Sequence, residues 1–297
     1  MGLRGAFFDV GDTLVEHWAP REVVNAKARA QIQADLGERP WLDDLLEARL
    51  ERSWNASLAQ LIARRTDTTE RFAPEEARQE TLALYAAWFR DRGIEIDEAD
   101  LDRLRHGMCV PLDEISSPVK GAFEAIRWCR EQGLRVVLVT NTLSRGDAEA
   151  LADWEQFGLD GAIDGVASSH SVGWRKPHPA MFERALQIAG VRPEEAFHVG
   201  DNLIADVWGA QRLGIRGVWR RSFRVHPPTD ERGAPHDPWG DRRRRDEATC
   251  EHPSESLLLR NGVVECALCG GAAGVEVRPD AVLEDLSGLP GLIGGWL

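Results

Sequence analysis

The sequence predicts an α/β fold: a doubly wound parallel sheet, interrupted after its first strand by a block of helices and followed by a small cysteine-bearing unit. Three observations carry this expectation. Strand-like and helix-like segments alternate from Pro118 to Trp219, a pattern that implies parallel strands joined by crossover helices on both faces. From about Val23 to Met108 the periodicity is helical, with almost no strand signal. Polar residues with chemical potential stand at the predicted carboxyl ends of strands, where open α/β sheets bind ligands.

Taken in order, Arg4 to Val10 reads as a buried strand, because its apolar run ends in Asp-x-Gly-Asp, a composition suited to a turn. In the helical block, Leu42, Leu45, Leu46 and Leu50 fall at three- and four-residue spacings, as do Leu82, Tyr85, Ala86 and Phe89. After Pro118 we expect a helix to Gln132, a strand from Arg135 to Thr140 and a helix from Ser144 to Phe157. A strand near Gly165 to Ser168 and a helix from Pro179 to Ala189 follow. Strand Ala196 to Val199, helix Ile204 to Leu213 and strand Gly217 to Trp219 complete the alternation. Gly133, Gly158, Gly190 and Gly214 sit where helices should stop, each able to take the left-handed cap conformation. Arg221 to about Arg278 is polar and rich in Pro, Gly and Arg, whereas Asp280 to Leu286 resumes a short helical pattern. The expected organisation is a core of residues 1–16 and 116–222, with 279–297 returning to it. Residues 17–115 would be the helical insertion, and 223–278 a linker with the cysteine-bearing unit.

A formal net charge of −13 argues against broad binding to a nucleic-acid backbone, so small metabolites are the expected partners. The start of the chain carries no charged-then-apolar leader, and no uncharged run approaches a membrane span. A soluble, cytoplasmic protein is therefore expected. Lysine occurs only at Lys27, Lys120 and Lys176, while arginine supplies the other 33 positive charges. A lysine directly after Arg175 suggests a site where a compact point charge is wanted.

Four clusters carry the chemistry: Phe8-Asp9-Val10-Gly11-Asp12-Thr13-Leu14; Val139-Thr140-Asn141; Lys176-Pro177; and Gly200-Asp201 followed by Asp206. Asp9, Asp201 and Asp206, gathered at strand ends, would repel one another unless a hard cation sat between them, and oxygen ligands suit Mg²⁺. In this order the clusters resemble the four motifs of the haloacid dehalogenase-like superfamily. The resemblance implies its Rossmannoid core, with residues 17–115 as an α-helical cap inserted after the first strand. It further implies a Mg²⁺-dependent hydrolase of a small phosphorylated metabolite. Asp9 would be the nucleophile, forming an aspartyl-phosphate that water hydrolyses. Asp9, the Gly11 carbonyl and Asp201 would bind Mg²⁺, with Asp206 joining or supporting them. Thr140 would hydrogen-bond the phosphoryl group, Asn141 would orient it, and Lys176 would place a positive charge beside the nucleophile.

The chain departs from that pattern at Gly11, where most phosphatases of the superfamily carry a second aspartate as general acid and base. Asp12 is a substitute if the chain turns at Gly11, since in an extended strand it would face away from Asp9. Relatives lacking the second aspartate include dehalogenases and phosphonatases. The Gly-Asp-x4-Asp cluster argues against the first, and a cap whose only lysine is Lys27 argues against the second. A phosphate- or protein-binding module with weak catalysis is the alternative from another class. His17, His170, His178 and His198 read as structural or surface residues, Trp18, Trp54 and Trp88 as core rather than pocket lining, and Cys109 and Cys129 as buried cysteines. Near the end, Cys250, His252, Cys266 and Cys269 flank a short apolar hairpin, Leu257 to Glu265. Four such ligands fit a closed tetrahedral site, so a zinc-ribbon-like unit with structural Zn²⁺ is expected.

Overall fold

The computed structural model describes residues 2–48, 74–142, 144–221, 257–260, 263–266 and 272–297. Its strands are β1 (Gly5–Phe8), β2 (Val15–His17), β3 (Ser116–Pro118), β4 (Arg135–Thr140), β5 (Gly165–Ser168), β6 (Ala196–Gly200) and β7 (Arg216–Arg220). Toward the C-terminus come β8 (Leu257–Arg260), β9 (Val263–Cys266), β10 (Ala272–Glu276) and β11 (Ala281–Leu283). Six strands form one sheet in the order β11-β7-β6-β1-β4-β5, every neighbouring pair parallel. The chain runs outward from β1 through β4 to β5, then crosses back to β6 on the other side of β1. The reversal leaves a crevice at the carboxyl ends of β1, β4 and β6, the usual ligand position in such sheets.

Period-two alternation divides the central strands between two cores. Phe7, Val137 and Val139 pack with Met181, Phe182 and Ala185 of helix Pro179–Ala189. Ala6, Phe8, Val136 and Leu138 join Ala122, Ala125 and Ile126 of helix Ala122–Glu131 on the opposite face. With both faces covered, these strands read as nearly continuous apolar runs rather than alternating ones. Gly133, Gly158, Gly190 and Gly214 all adopt positive φ, between 64° and 86°, as expected at these helix stops.

Residues between β2 and β3 form helices Arg21–Leu36, Leu42–Ala48, Pro74–Asp91 and Glu98–Gly107. Leu42, Leu45, Leu46, Leu82, Tyr85, Trp88 and Phe89 are buried, and Ala86 is partly buried, so the predicted apolar stripes face inward. Leu50 lies outside the described residues. The antiparallel ribbon β2–β3 pairs His17 with Ser116 and frames the entry to and exit from this helical block. Arg105 ties the block to the sheet domain, reaching Glu149 at 3.1 Å and the Ser144 carbonyl.

Several expectations need correction. Asp280 to Leu286 does not form a helix; Ala281–Leu283 extends as β11 beside β7, and a short turn of helix begins only at Leu286. Asp280 accepts from the Gly217 amide at 2.8 Å, which anchors the segment in extended register. The expected helix Ile204 to Leu213 starts as a π-helix, Leu203–Trp208, before continuing as Gly209–Gln211. Cys129 is buried, but Cys109 is only half-buried; Trp18 is exposed rather than core, and Trp54 lies outside the described residues. Strands β8 and β9 form the expected hairpin, with Leu257 opposite Cys266. Cys250, His252 and Cys269 lie outside the described residues, and of Cys266 only the backbone is described. No helix among the described residues is long and apolar enough to cross a membrane.

Candidate active site

The crevice gathers the predicted groups. Asp9 directly follows β1, and its amide donates to the Val199 carbonyl at 2.9 Å, tying the strand end to β6. Asp201 follows β6, and Asp206 projects from the π-helix. One carboxylate oxygen from each of Asp9, Asp201 and Asp206 lies within 4.8 Å of the others, and all three residues are buried. Buried carboxylates at this spacing need positive charge among them, and an all-oxygen set fits a hard cation such as Mg²⁺.

Lys176 supplies part of that charge. Its Nζ donates to Asp9 Oδ1 at 2.5 Å, Asp206 Oδ1 at 2.6 Å and the Val139 carbonyl at 2.6 Å. All three ammonium protons are thereby used. The lysine is positioned from β4: Asn141 Oδ1 accepts from the Lys176 amide at 2.8 Å, and Asn141 Nδ2 donates to its carbonyl at 3.3 Å. Thr140 ends β4 beside Ser168 and is partly exposed at the crevice.

Asp206 Oδ1 also accepts from His198 Nε2 at 3.0 Å, and its Oδ2 from the Asn202 amide at 3.0 Å. Burial opposes its charge, but Lys176 and His198 outweigh that and hold the carboxyl at about 2. Burial pushes Asp9 up to about 6, Lys176 opposing and Asp206 adding to the rise. Asp201 is raised well above the ordinary range by burial and by the neighbouring Asp9 and Asp206. One carboxylate is thus fixed as an anion by its hydrogen bonds while two are left short of compensating charge, a state a divalent ion would relieve.

Gly200 explains why glycine precedes Asp201. A Cβ there would lie 2.2 Å from Asp206 Cγ, and Asp206 cannot yield without breaking three hydrogen bonds. Gly200→Ala should therefore cost about 1–3 kcal/mol in stability through overpacking and displace Asp206. A urea midpoint equal to wild type would contradict this.

Asp12 and Gly11 require a correction. The chain does turn after Asp9, but the left-handed residue is Asp12 itself, at φ 55°, and not Gly11. Aspartate tolerates this region better than most residues because its short polar side chain bonds locally. Arg220, buried at the end of β7, stabilises the turn by donating to the Asp12 carbonyl at 2.5 Å and to Glu16 at 2.9 Å. Thr13 donates to Asp9 Oδ2 at 2.9 Å, and Trp219 Nε1 donates to the Asp201 carbonyl at 2.9 Å. Thr13 and Trp219, like Arg220, escaped the sequence reading. Thr13 stood inside a quoted motif, whereas Trp219 and Arg220 sit on a strand whose neighbours no local pattern discloses.

An open parallel sheet whose crevice gathers three buried carboxylates and one buried lysine suits a hydrolase-type active centre. The chain belongs to the haloacid dehalogenase-like hydrolase family, whose model matches residues 3–214. Among curated proteins it is 34% identical to the glyceraldehyde 3-phosphate phosphatase of Pyrococcus furiosus over 34% of this chain and 41% of that one. It is 41% identical to the phosphoserine phosphatase of Thermus thermophilus over 33% of this chain and 39% of that one. The aligned regions thus span about two-fifths of these relatives' length. The solved L-2-haloacid dehalogenase of Xanthobacter autotrophicus superposes with TM-score 0.53 over 99% of this chain and 100% of that one. At 17% identity, that likeness is one of fold alone.

Proposed function

We propose that this protein is a Mg²⁺-dependent phosphohydrolase acting on a small phosphorylated metabolite through an aspartyl-phosphate on Asp9. The observation that carries this reading is the buried Asp9, Asp201, Asp206 cluster, with Lys176 bonded to Asp9 and Asp206. Asp9, Asp201 and the Gly11 carbonyl would hold the ion, with Asp206 joining or backing them. When bound, Mg²⁺ would neutralise charge on the phosphoryl group.

The chain's own residues do the rest. Thr13 and Lys176 fix the Asp9 carboxylate from both oxygens, so the nucleophile is oriented before substrate arrives. Asn141 holds Lys176 by its backbone, and Thr140 would donate to a phosphoryl oxygen. Residues 17–115 would act as a cap that excludes water and selects the substrate. Two relatives are named for glyceraldehyde 3-phosphate and phosphoserine, which supports a small phosphomonoester. A carbon-attacking dehalogenase has no use for the acidic cluster.

The test is hydrolysis of p-nitrophenyl phosphate and a panel of phosphate esters, with Mg²⁺ and with chelator. Mg²⁺-dependent turnover is expected; none against the whole panel would favour a binding module. Protons compete with the ion for Asp9, so Mg²⁺ affinity measured by calorimetry should weaken as pH falls through about 6. For Cys250, His252, Cys266 and Cys269 we propose structural Zn²⁺; elemental analysis finding none in folded protein would refute it.

A further inference from the structure

Departure of an alkoxide from phosphorus needs a proton, and among the described residues neither Lys176 nor the three clustered carboxylates is placed to offer one. Lys176 spends all three N–H bonds on Asp9, Asp206 and Val139. Asp9, Asp201 and Asp206 would serve as acceptors toward the cation. Gly11 brings no side chain at all, yet the space on its side-chain face leads to a particular atom. Among the described residues, a Cβ placed on Gly11 would meet His17 Nε2 at 3.9 Å. An aspartate at position 11 would carry its carboxyl oxygens two bonds beyond that Cβ, toward the volume this imidazole borders.

His17 is held in place for such a role. It ends β2, and across the ribbon its register partner is Ser116. The hydroxyl of buried Ser116 lies 2.7 Å from His17 Nδ1. That contact occupies the ring nitrogen remote from Gly11 and orients Nε2. His17 is an exposed residue, so it can exchange protons with solvent. We propose that His17 is the general acid and base of this enzyme, reaching in from the β2–β3 ribbon to fill the role vacated at Gly11. The proposal rests on the phosphohydrolase reading above.

The proton balance closes. As an Asp9 oxygen bonds to phosphorus and the ester oxygen leaves, imidazolium Nε2–H transfers its proton to that oxygen, releasing the alcohol. The neutral imidazole then accepts a proton from water whose oxygen attacks the phosphorus of the aspartyl-phosphate. Asp9 leaves as carboxylate, inorganic phosphate departs, and His17 is again protonated.

The experiment compares kcat/KM for an alkyl phosphate, whose leaving group needs a proton, with that for p-nitrophenyl phosphate, whose leaving group does not. It uses full-length wild type, His17→Gln, Asp12→Asn and the double variant His17→Gln/Gly11→Asp, all with Mg²⁺. His17→Gln should lose about 10²- to 10⁴-fold on the alkyl ester and less than about tenfold on the aryl ester. Retained aryl turnover also shows that the variant is folded. Recovery of the alkyl reaction in the double variant would support the assignment, since an aspartate at position 11 has room. Equal losses on both esters, no loss on either, or a selective loss in Asp12→Asn instead, would overturn it. Wild type inactive on both esters would sink the phosphohydrolase reading itself, a distinguishable result.

Discussion

Asp9→Asn is expected to lower Mg²⁺-dependent turnover by on the order of 10⁴-fold or more, the scale seen when a covalent nucleophile is removed. The substitution is close to isosteric, and its hydrogen bonds are replaceable. The amide oxygen can still accept from Lys176, and the amide nitrogen can donate to Thr13, whose hydroxyl now bonds the carboxylate at 2.9 Å. Lys176 keeps Asp206 and the Val139 carbonyl. One of three mutually repelling buried carboxylates disappears, which offsets the lost ion pair, so the metal-free variant should unfold within about 1 kcal/mol of wild type. Rates would come from the p-nitrophenyl phosphate assay and stability from urea titration. Near-wild-type turnover in this variant would mean that Asp9 is not the nucleophile.

Lys176→Met should produce the largest stability effect. Lys176 is buried and shared by two buried carboxylates at 2.5 and 2.6 Å, and deleting it leaves both without their cation. Breaking a buried pair from one side costs about 3–5 kcal/mol. Activity should fall with it, because the same ammonium orients Asp9. Lys176→Arg is not expected to restore either property: the site surrounds one nitrogen with three oxygens, a cradle for an ammonium that a planar guanidinium cannot enter. Added Mg²⁺ should recover part of the Met variant's stability by supplying the missing charge. A metal-free Met variant with an unchanged urea midpoint would show that the three-way contact carries no stability.

Much of this site was legible because local sequence rules and the global fold agree. The apolar runs of β1, β4 and β6 end in the polar groups that meet at the crevice, and a strand's C-terminal residue is placed by the strand itself. Glycines at helix ends announced the helix stops through their freedom at positive φ. Other features depend on contacts between segments far apart in the chain. The Arg220 bond to Asp12 spans 208 residues, and the Ser116 bond to His17 spans 99. Neither leaves a periodic trace, so neither histidine nor arginine stood out.

From the sequence alone came the parallel α/β class, the helical insertion and the identity of Asp9, Lys176, Asp201 and Asp206, because hydrophobic period and residue type at strand ends are local properties. The tertiary structure decided what those residues do to one another. Pairing with β7 turned residues 281–283 into a strand, a left-handed Asp12 set the turn after Asp9, and the β2–β3 ribbon brought His17 to the face left open by Gly11. Proton transfer and charge balance depend on distance and burial, which arise only when segments remote in sequence pack together.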